Sequence, residues 1–251
     1  MQGKSPNHVS LAPVFMHMRS EGPSVPRTES CLLDRLDEDE RRLASKVLQG
    51  TTAHSFPAGF RGLTGDLMQA KALVVESGFV VVHASVLSSR HVVVAEAGAG
   101  SILLPPSQGE HLHALTDCWL TVLPLELLLG LLAIPGTATE LFRGLGTALR
   151  LRHDATRYYA SVRHVDRVRE KLLQLAQEFG KVDPDGIRIV FPVTHDLLAE
   201  MVASARETVT RSLDELQRSG FVIRDGHSYR LRVSPEALDH PGRDPLGDPY
   251  Q

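Results

Sequence analysis

Only two cysteines, Cys31 and Cys118, occur among 251 residues. They lie far apart and in no metal-ligand spacing, which excludes a disulfide framework and implies a reduced, cytoplasmic protein. Long apolar runs are lacking too. The longest, around Leu127 to Ile134, is interrupted by Gly130 and followed by Pro135, so neither a membrane span nor a membrane partner is expected. No charged start leads into an apolar stretch at the N-terminus, so no secretory signal is expected. The signatures G-x-S-x-G, H-E-x-x-H and the P-loop are absent, and Gly98-Ala99-Gly100 is too isolated for a dinucleotide fingerprint. The acids Asp37-Glu38-Asp39-Glu40 read as the solvated side of a helix. The chain is therefore read as a non-enzyme with no cofactor. An excess of either charge is also missing: 27 basic residues stand against 30 acidic ones, for a net charge of -3. That balance excludes coating nucleic acid by bulk charge and leaves room for a local basic face.

What the chain does have is enough apolar residue, 42%, to bury a core in two domains. Its most informative stretch is Val193 to Leu216. Thr194 is a good N-cap, Asp196 favours the positive end of the helix that follows, and Leu198, Met201 and Val202 share one face. Ala203-Ser204-Ala205 interrupts that stripe, and a second begins at Val209 and continues through Leu213 and Leu216. Opposite it, Arg206, Glu207, Thr210, Arg211 and Asp214 share an exposed face. Arg grips O6 and N7 of guanine, and Glu accepts from N4 of cytosine, so this face carries partners for both bases of a G·C pair. Downstream, Phe221-Val222-Ile223, Asp225-Gly226 and Tyr229 to Val233 spell a hairpin with an Asp-Gly turn.

This arrangement, with the string Arg206-Glu207-Thr208-Val209-Thr210-Arg211, resembles the winged helix-turn-helix of the Crp/Fnr transcription regulators. The resemblance implies that Arg206, Glu207 and Arg211 read bases and that Thr208 contacts phosphate. Thr194 and Thr210 join the expected DNA-binding set with Arg230 and Arg232 of the wing, and Arg224, His227, Arg230 and Arg232 are all placed to reach phosphates. Two positions depart from the pattern. Ala203 replaces the usual turn Gly, at a modest cost if the backbone is left-handed there. Ala205 replaces a Ser, which leaves an N-cap or phosphate role to Ser204.

The resemblance extends upstream. From Thr51 to about Val122, short apolar runs separated by Gly, Pro and Ser read as a small antiparallel barrel or sandwich. Phe56-Pro57-Ala58-Gly59 and Glu76-Ser77-Gly78-Phe79-Val80 look like turns of the cyclic-nucleotide-binding β-roll that precedes the DNA-binding domain in that family. The expected fold is α+β: an N-terminal antiparallel, jelly-roll-like β-roll, a long dimerisation helix and a C-terminal winged helix-turn-helix. Expected boundaries are a disordered tail at 1–29, the roll at 30–137, the dimer helix at 138–165, the DNA-binding domain at 166–240 and a tail at 241–251. Within the roll segment, Leu32 to Leu48 reads as one amphipathic helix with Leu33, Leu36, Leu43 and Val47 on its apolar face. Between the domains, Leu141, Leu145, Ala148, Arg152, Ala155, Tyr159 and Val162 alternate steps of four and three, the seam of a coiled coil. Arg152, Gly144 and Gly146 would weaken that seam locally. A second helix is expected from Val168 to Phe179.

Cyclic nucleotide binding in this family implies a Gly-Glu pair for the ribose and an Arg for the cyclic phosphate. Gly109-Glu110 is present, yet no Arg occurs between Arg90 and Arg143. Without a guanidinium for the phosphate, ordinary cyclic AMP binding is not expected. The iron-sulfur sensor of the Fnr type, which needs about four thiolates, is excluded by two cysteines. His83, His91, His111, His113 and Cys118 leave a haem or metal open as an alternative, but scattered surface placement is the commoner fate of histidines and no metal is assigned. The expected function is a cytoplasmic, homodimeric regulator that binds a palindromic site in double-stranded DNA, with RNA polymerase as a further partner. The alternatives are an effector-dependent regulator, sensing a small molecule, nucleotide or redox signal through the roll, and a dimeric module that binds protein.

Overall fold

The computed structural model describes residues 25–26, 30–49, 51–62, 67, 69–86, 90–160 and 163–234, and of 25–26, 52, 90 and 151–160 the backbone alone. Two antiparallel sheets form the first half. One has the order β1-β2-β9-β4-β7, built from Val25–Pro26 (β1), Thr52–Phe56 (β2), Cys118–Leu123 (β9), Ala72–Ser77 (β4) and Ile102–Leu103 (β7). The other has the order β3-β8-β5-β6, built from Arg61–Gly62 (β3), Glu110–Ala114 (β8), Phe79–Val86 (β5) and Arg90–Gly98 (β6). Strand alternation sends Phe56, Leu73, Val75 and Leu120 of the first sheet against Val80, Val82, Leu112 and Ala114 of the second, closing a dry core between them. The corner from β4 to β5 depends on Gly78, at φ 86, where a Cβ would collide with the backbone of Asp117 and Cys118. The antiparallel roll expected from the sequence is present. Most of the expected N-terminal tail lies outside the described residues, but Val25 and Pro26 are a strand, pairing with Ala53 and Thr52.

Helices cover the outer face of the first sheet. They are Glu38–Val47 (α1), Leu125–Leu132 (α2) and Pro135–Ala160 (α3). The single helix expected from Leu32 to Leu48 is instead a short 3-10 turn, Cys31–Leu33, followed by α1. The break has a local cause. Asp37 is an N-cap whose carboxylate accepts from the amide of Glu40, and Ser30 and Cys31 are tied to the buried Glu76 carboxylate at 2.7 and 2.8 Å. The restart rotates the apolar face, so Ala44 is buried and Leu43 is 52% exposed. Glu40 is not simply solvated: its carboxylate accepts from the amide of Gly136 at 2.8 Å, at the start of α3.

The second half begins at His164–Phe179 (α4), capped at Arg163. The expected dimer helix, running to Val165, therefore ends by Ala160, and Val165 is a buried residue of α4 that packs on the C-terminal core. After α4 come Gly180–Asp183 (β10) and Gly186–Ile189 (β11), His195–Met201 (α5), Arg206–Arg218 (α6), and the hairpin Val222–Asp225 (β12) and Ser228–Leu231 (β13). The four strands form one sheet, β10-β11-β13-β12. Leu172, Leu175, Ile189, Leu198, Leu213 and Tyr229 share its core, which runs on without a break into Phe79, Val81 and Val93 on the outer face of the second roll sheet. The C-terminal unit therefore sits directly on the roll. The stacked rings of Phe79 and Phe179, 3.8 Å apart, mark the join.

Candidate nucleic-acid interface

Helix α5 starts at Thr194, whose Oγ1 accepts from the amide of Leu197 at 3.0 Å, and it buries Leu197, Leu198 and Met201. The turn that follows passes through Ala203 at φ 46, the one non-Gly residue with a left-handed backbone among the described residues. The Gly-for-Ala departure noted in the sequence thus carries its steric cost. Helix α6 then buries Val209, Leu213 and Leu216 at 0, 0 and 5% exposure. Its opposite side presents Arg206, Glu207, Arg211 and Asp214 to solvent, with Thr208 and Thr210 partly exposed beside them. Ser204 does not cap α6. The N-cap is Ala205, without a side-chain bond, and Ser204 Oγ is engaged with His164 Nδ1 at 3.0 Å.

Two internal contacts tune this face. Arg206 Nε lies 3.5 Å from Asp196 Oδ1, both side chains being mostly exposed, so the pair is weak and easily exchanged for another acceptor. Thr210 Oγ1 lies 2.9 Å from His195 Nδ1, binding the two helices at their open edge. Burial, and then the charges of Arg224 and Arg206, lower the pKa of His195, so it stays neutral beside the arginines. No pattern in the sequence singled out His195, because its partner is fifteen residues away on another helix.

The wing is a tight hairpin in which Asp225 pairs with Ser228 and Gly226, at φ 62, takes the first central position. Its expected phosphate contacts fare differently. Arg232 is exposed. Arg230 is held by Asp225 at 2.8 Å, Asp185 at 3.4 Å and Asp183 at 3.6 Å, and its bond to Asp225 chiefly raises its pKa further. Arg230 is thus a brace between the wing and the β10–β11 turn, and the phosphate role expected for it is withdrawn. Arg224, also exposed, donates to the carbonyl of Gly226 at 3.3 Å.

The expected dimer seam divides. Leu141 is 6% exposed and belongs to the core under α1 and α2, so it packs within its own chain. Leu145 and Ala148 line a cavity of about 50 Å³ between α3, β6, β7 and α4. The side chains of Arg152, Ala155 and Tyr159, and all of Val162, lie outside the described residues. Gly144 is a point of close approach and not a weak spot, since a Cβ there would stand 2.7 Å from Ile102. In the expected sensor loop, Glu110 turns back on its own chain, accepting from the amide of Ser107 at 2.8 Å. Both thiols are suppressed: burial first, then neighbouring carboxylates, push Cys31 and Cys118 up to about 12. Among the described residues no group of three or more His, Cys, Asp or Glu side chains has a metal-holding arrangement.

A β-roll joined through a long helix to a winged helix-turn-helix defines the class. The profile of the Crp-like helix-turn-helix domain matches residues 166–240. The chain is 34% identical over 68 residues to the CRP-like cAMP-activated global transcriptional regulator of Mycobacterium tuberculosis, covering 27% of this chain and 30% of that protein. It is 32% identical over 130 residues to the global nitrogen regulator of Synechococcus elongatus, covering 51% of this chain and 58% of the relative. The matched part is thus about a third of the first relative and somewhat over half of the second. A CRP/FNR family transcriptional regulator from Thermus thermophilus superposes with a TM-score of 0.59 at 23% identity, over 77% of this chain and 99% of its own. Residues 166–240 belong to the Crp-like helix-turn-helix family, and the chain as a whole has the Crp/Fnr fold.

Proposed function

We propose that this protein is a homodimeric, sequence-specific regulator of transcription that reads a palindromic duplex. The carrying observation is the outer face of α6, where Arg206, Glu207 and Arg211 stand exposed while Val209, Leu213 and Leu216 fix the helix from behind. Arg206 and Arg211 are assigned to guanine, Glu207 to cytosine, Thr208, Arg224 and Arg232 to phosphates. Two copies related by a two-fold axis read half-sites one turn apart, ~34 Å. The dimer surface is assigned to the apolar residues left uncovered on α3 and α2: Phe142, 74% exposed, and Leu149, Leu125 and Leu129, all at 50% or more. RNA polymerase is the partner through which bound protein acts on transcription.

The sensor does not take cyclic AMP in the family's usual way. The cavity beside α3, about 50 Å³, falls far short of the ~300 Å³ at which small-molecule pockets begin. Selection of bound sequences from random duplexes, with purified protein and no added ligand, tests the proposal. A palindromic consensus with salt-sensitive binding is expected. Recovery of no consensus, with no salt-dependent duplex binding, would leave the protein-binding alternative in its place.

A further inference from the structure

Alternation along the second roll sheet sends Phe79, Val81 and His83 outward from β5 and His111 and His113 outward from β8, while Val80, Val82 and Leu112 fill the roll. Four imidazoles meet on that outer face. The rings of His83 and His111 stack at 5.1 Å, His113 lies 5.3 Å from His83, and His91 of β6 meets His111 edge-on at 5.7 Å. His83 has no exposed surface and His113 has 8%. The first helix of the helix-turn-helix closes over His83. Glu200 Oε2 of α5 lies 3.1 Å from His83 Nδ1, and Met201 joins the apolar cluster of Phe79 and Val81. A second tie stands nearby, where Lys171 of α4 donates to Glu96 of β6 at 2.8 Å.

We propose that the four-histidine cluster is a proton-operated latch between the roll and the helix-turn-helix, closed when its imidazoles are neutral and opened when they are protonated. His83 Nε2 and His113 Nδ1 lie 3.2 Å apart. Neutral or singly charged rings share that contact as one donor and one acceptor. Two charged rings set two N–H groups against each other. Arg61 of β3, His91 of β6 and His111 of β8 add positive charge around the pair, and Glu200, with Asp196 on the same helix, supplies the negative side.

The direction follows from proton counting. Burial first, and neighbouring cations second, lower His83 to about 3 and His113 to about 4, whereas an uncovered imidazole titrates near ~6.5. Docking is at full strength above that ordinary value and is lost as pH falls toward the depressed ones. One unit below it, a proton on one ring weakens docking by ~10-fold, and the second ring, 3.2 Å from the first and coupled to it, adds less than that. Glu200 pulls the other way, because burial raises its carboxyl and a proton there favours the docked state.

The test uses the full chain with methyl-labelled methionine, following the Met201 resonance by NMR and Trp119 emission as a report on the roll. Between pH 7.5 and 5.5 the Met201 methyl should move to its solvent position while Trp119 emission holds. A His83→Gln/His113→Gln double variant should lose that movement. If it does not fold, His91→Gln at the exposed rim, which removes one like charge, should shift the opening to lower pH. A Met201 signal that stays put until Trp119 emission collapses would overturn the latch as ordinary acid unfolding. Stoichiometric zinc binding at pH 7.5 that is abolished in the double variant would overturn it in favour of a metal site.

Discussion

Helices α3 and α6 carry apolar residues at the same spacing, and the two stripes have different surroundings. In α6, Val209, Leu213 and Leu216 all face the core of their own domain, and what is left on the outside is charged. In α3, Leu141 is equally internal, yet the outside keeps Phe142 and Leu149, each one position on from a residue of the stripe. As far as Ala148 the stripe of α3, like that of α6, turns toward its own chain. What distinguishes them is the remainder, polar in a helix set to meet water or nucleic acid and apolar in one set to meet protein. Periodicity says which residues share a face; the residues off the stripe say what the other face is for.

The largest effect should come from that remainder in α3. Phe142→Asp with Leu149→Asp places charges in the proposed contact between copies, and sedimentation should show monomers with duplex affinity reduced by at least ~100-fold as the second half-site is lost. An intact dimer would remove this face from the comparison. Next, Leu141→Ala and Leu213→Ala should each lower unfolding free energy by about 2–5 kcal/mol in denaturant melts, with the dimer still formed by the Leu141 variant. Dissociation of that variant at full stability would show that Leu141 serves the seam after all.

On the α6 side, Arg206→Ala should cost about 1–3 kcal/mol per half-site and relax base preference at one G·C pair, read by binding to a panel of substituted duplexes. A uniform loss across sequences would make Arg206 a phosphate contact. The wing sharpens the contrast further. Arg232→Ala should leave base preference alone and flatten the salt dependence by ~0.9 in log–log slope per half-site, ~1.8 for the dimer. Arg230→Ala should leave that slope unchanged and lower the melting temperature, because three carboxylates lose their common cation. The smallest expected effect is none: cyclic AMP in hundredfold excess over any dissociation constant would add ~2.7 kcal/mol if it bound the folded protein, and a thermal melt should show no such shift.

What the sequence disclosed was local. Thr194 and the Val209, Leu213, Leu216 spacing placed the helix-turn-helix because a cap and a stripe are decided within one helix. Gly226 placed the wing because a two-residue turn is decided within four residues. Leu33 to Val47 was misleading for the opposite reason: the Asp37 cap and the tie to Glu76 restart the helix and turn Leu43 to the surface. Arg230 went to phosphate because Asp183 and Asp185 lie more than forty residues away. The outer face of the second roll sheet was harder still. His111 and His113 were visible as near neighbours in the chain, but the helix that closes over His83 beside them comes more than eighty residues later, and no periodicity carries that information.

Glu40 and Gly136 meet across ninety-six residues, and β2, flanked on one side by the two-residue β1, completes its pairing only with β9. During synthesis neither contact exists until the chain has passed the ribosome through the start of α3. The roll is therefore completed late: β5 pairs at once with β6, but β4 emerges as a bare apolar strand before β7 and β9 reach it. The helix-turn-helix, made of near neighbours, has no such wait once its own residues are out. In a growing chain the first half is the one whose strands wait longer for their partners.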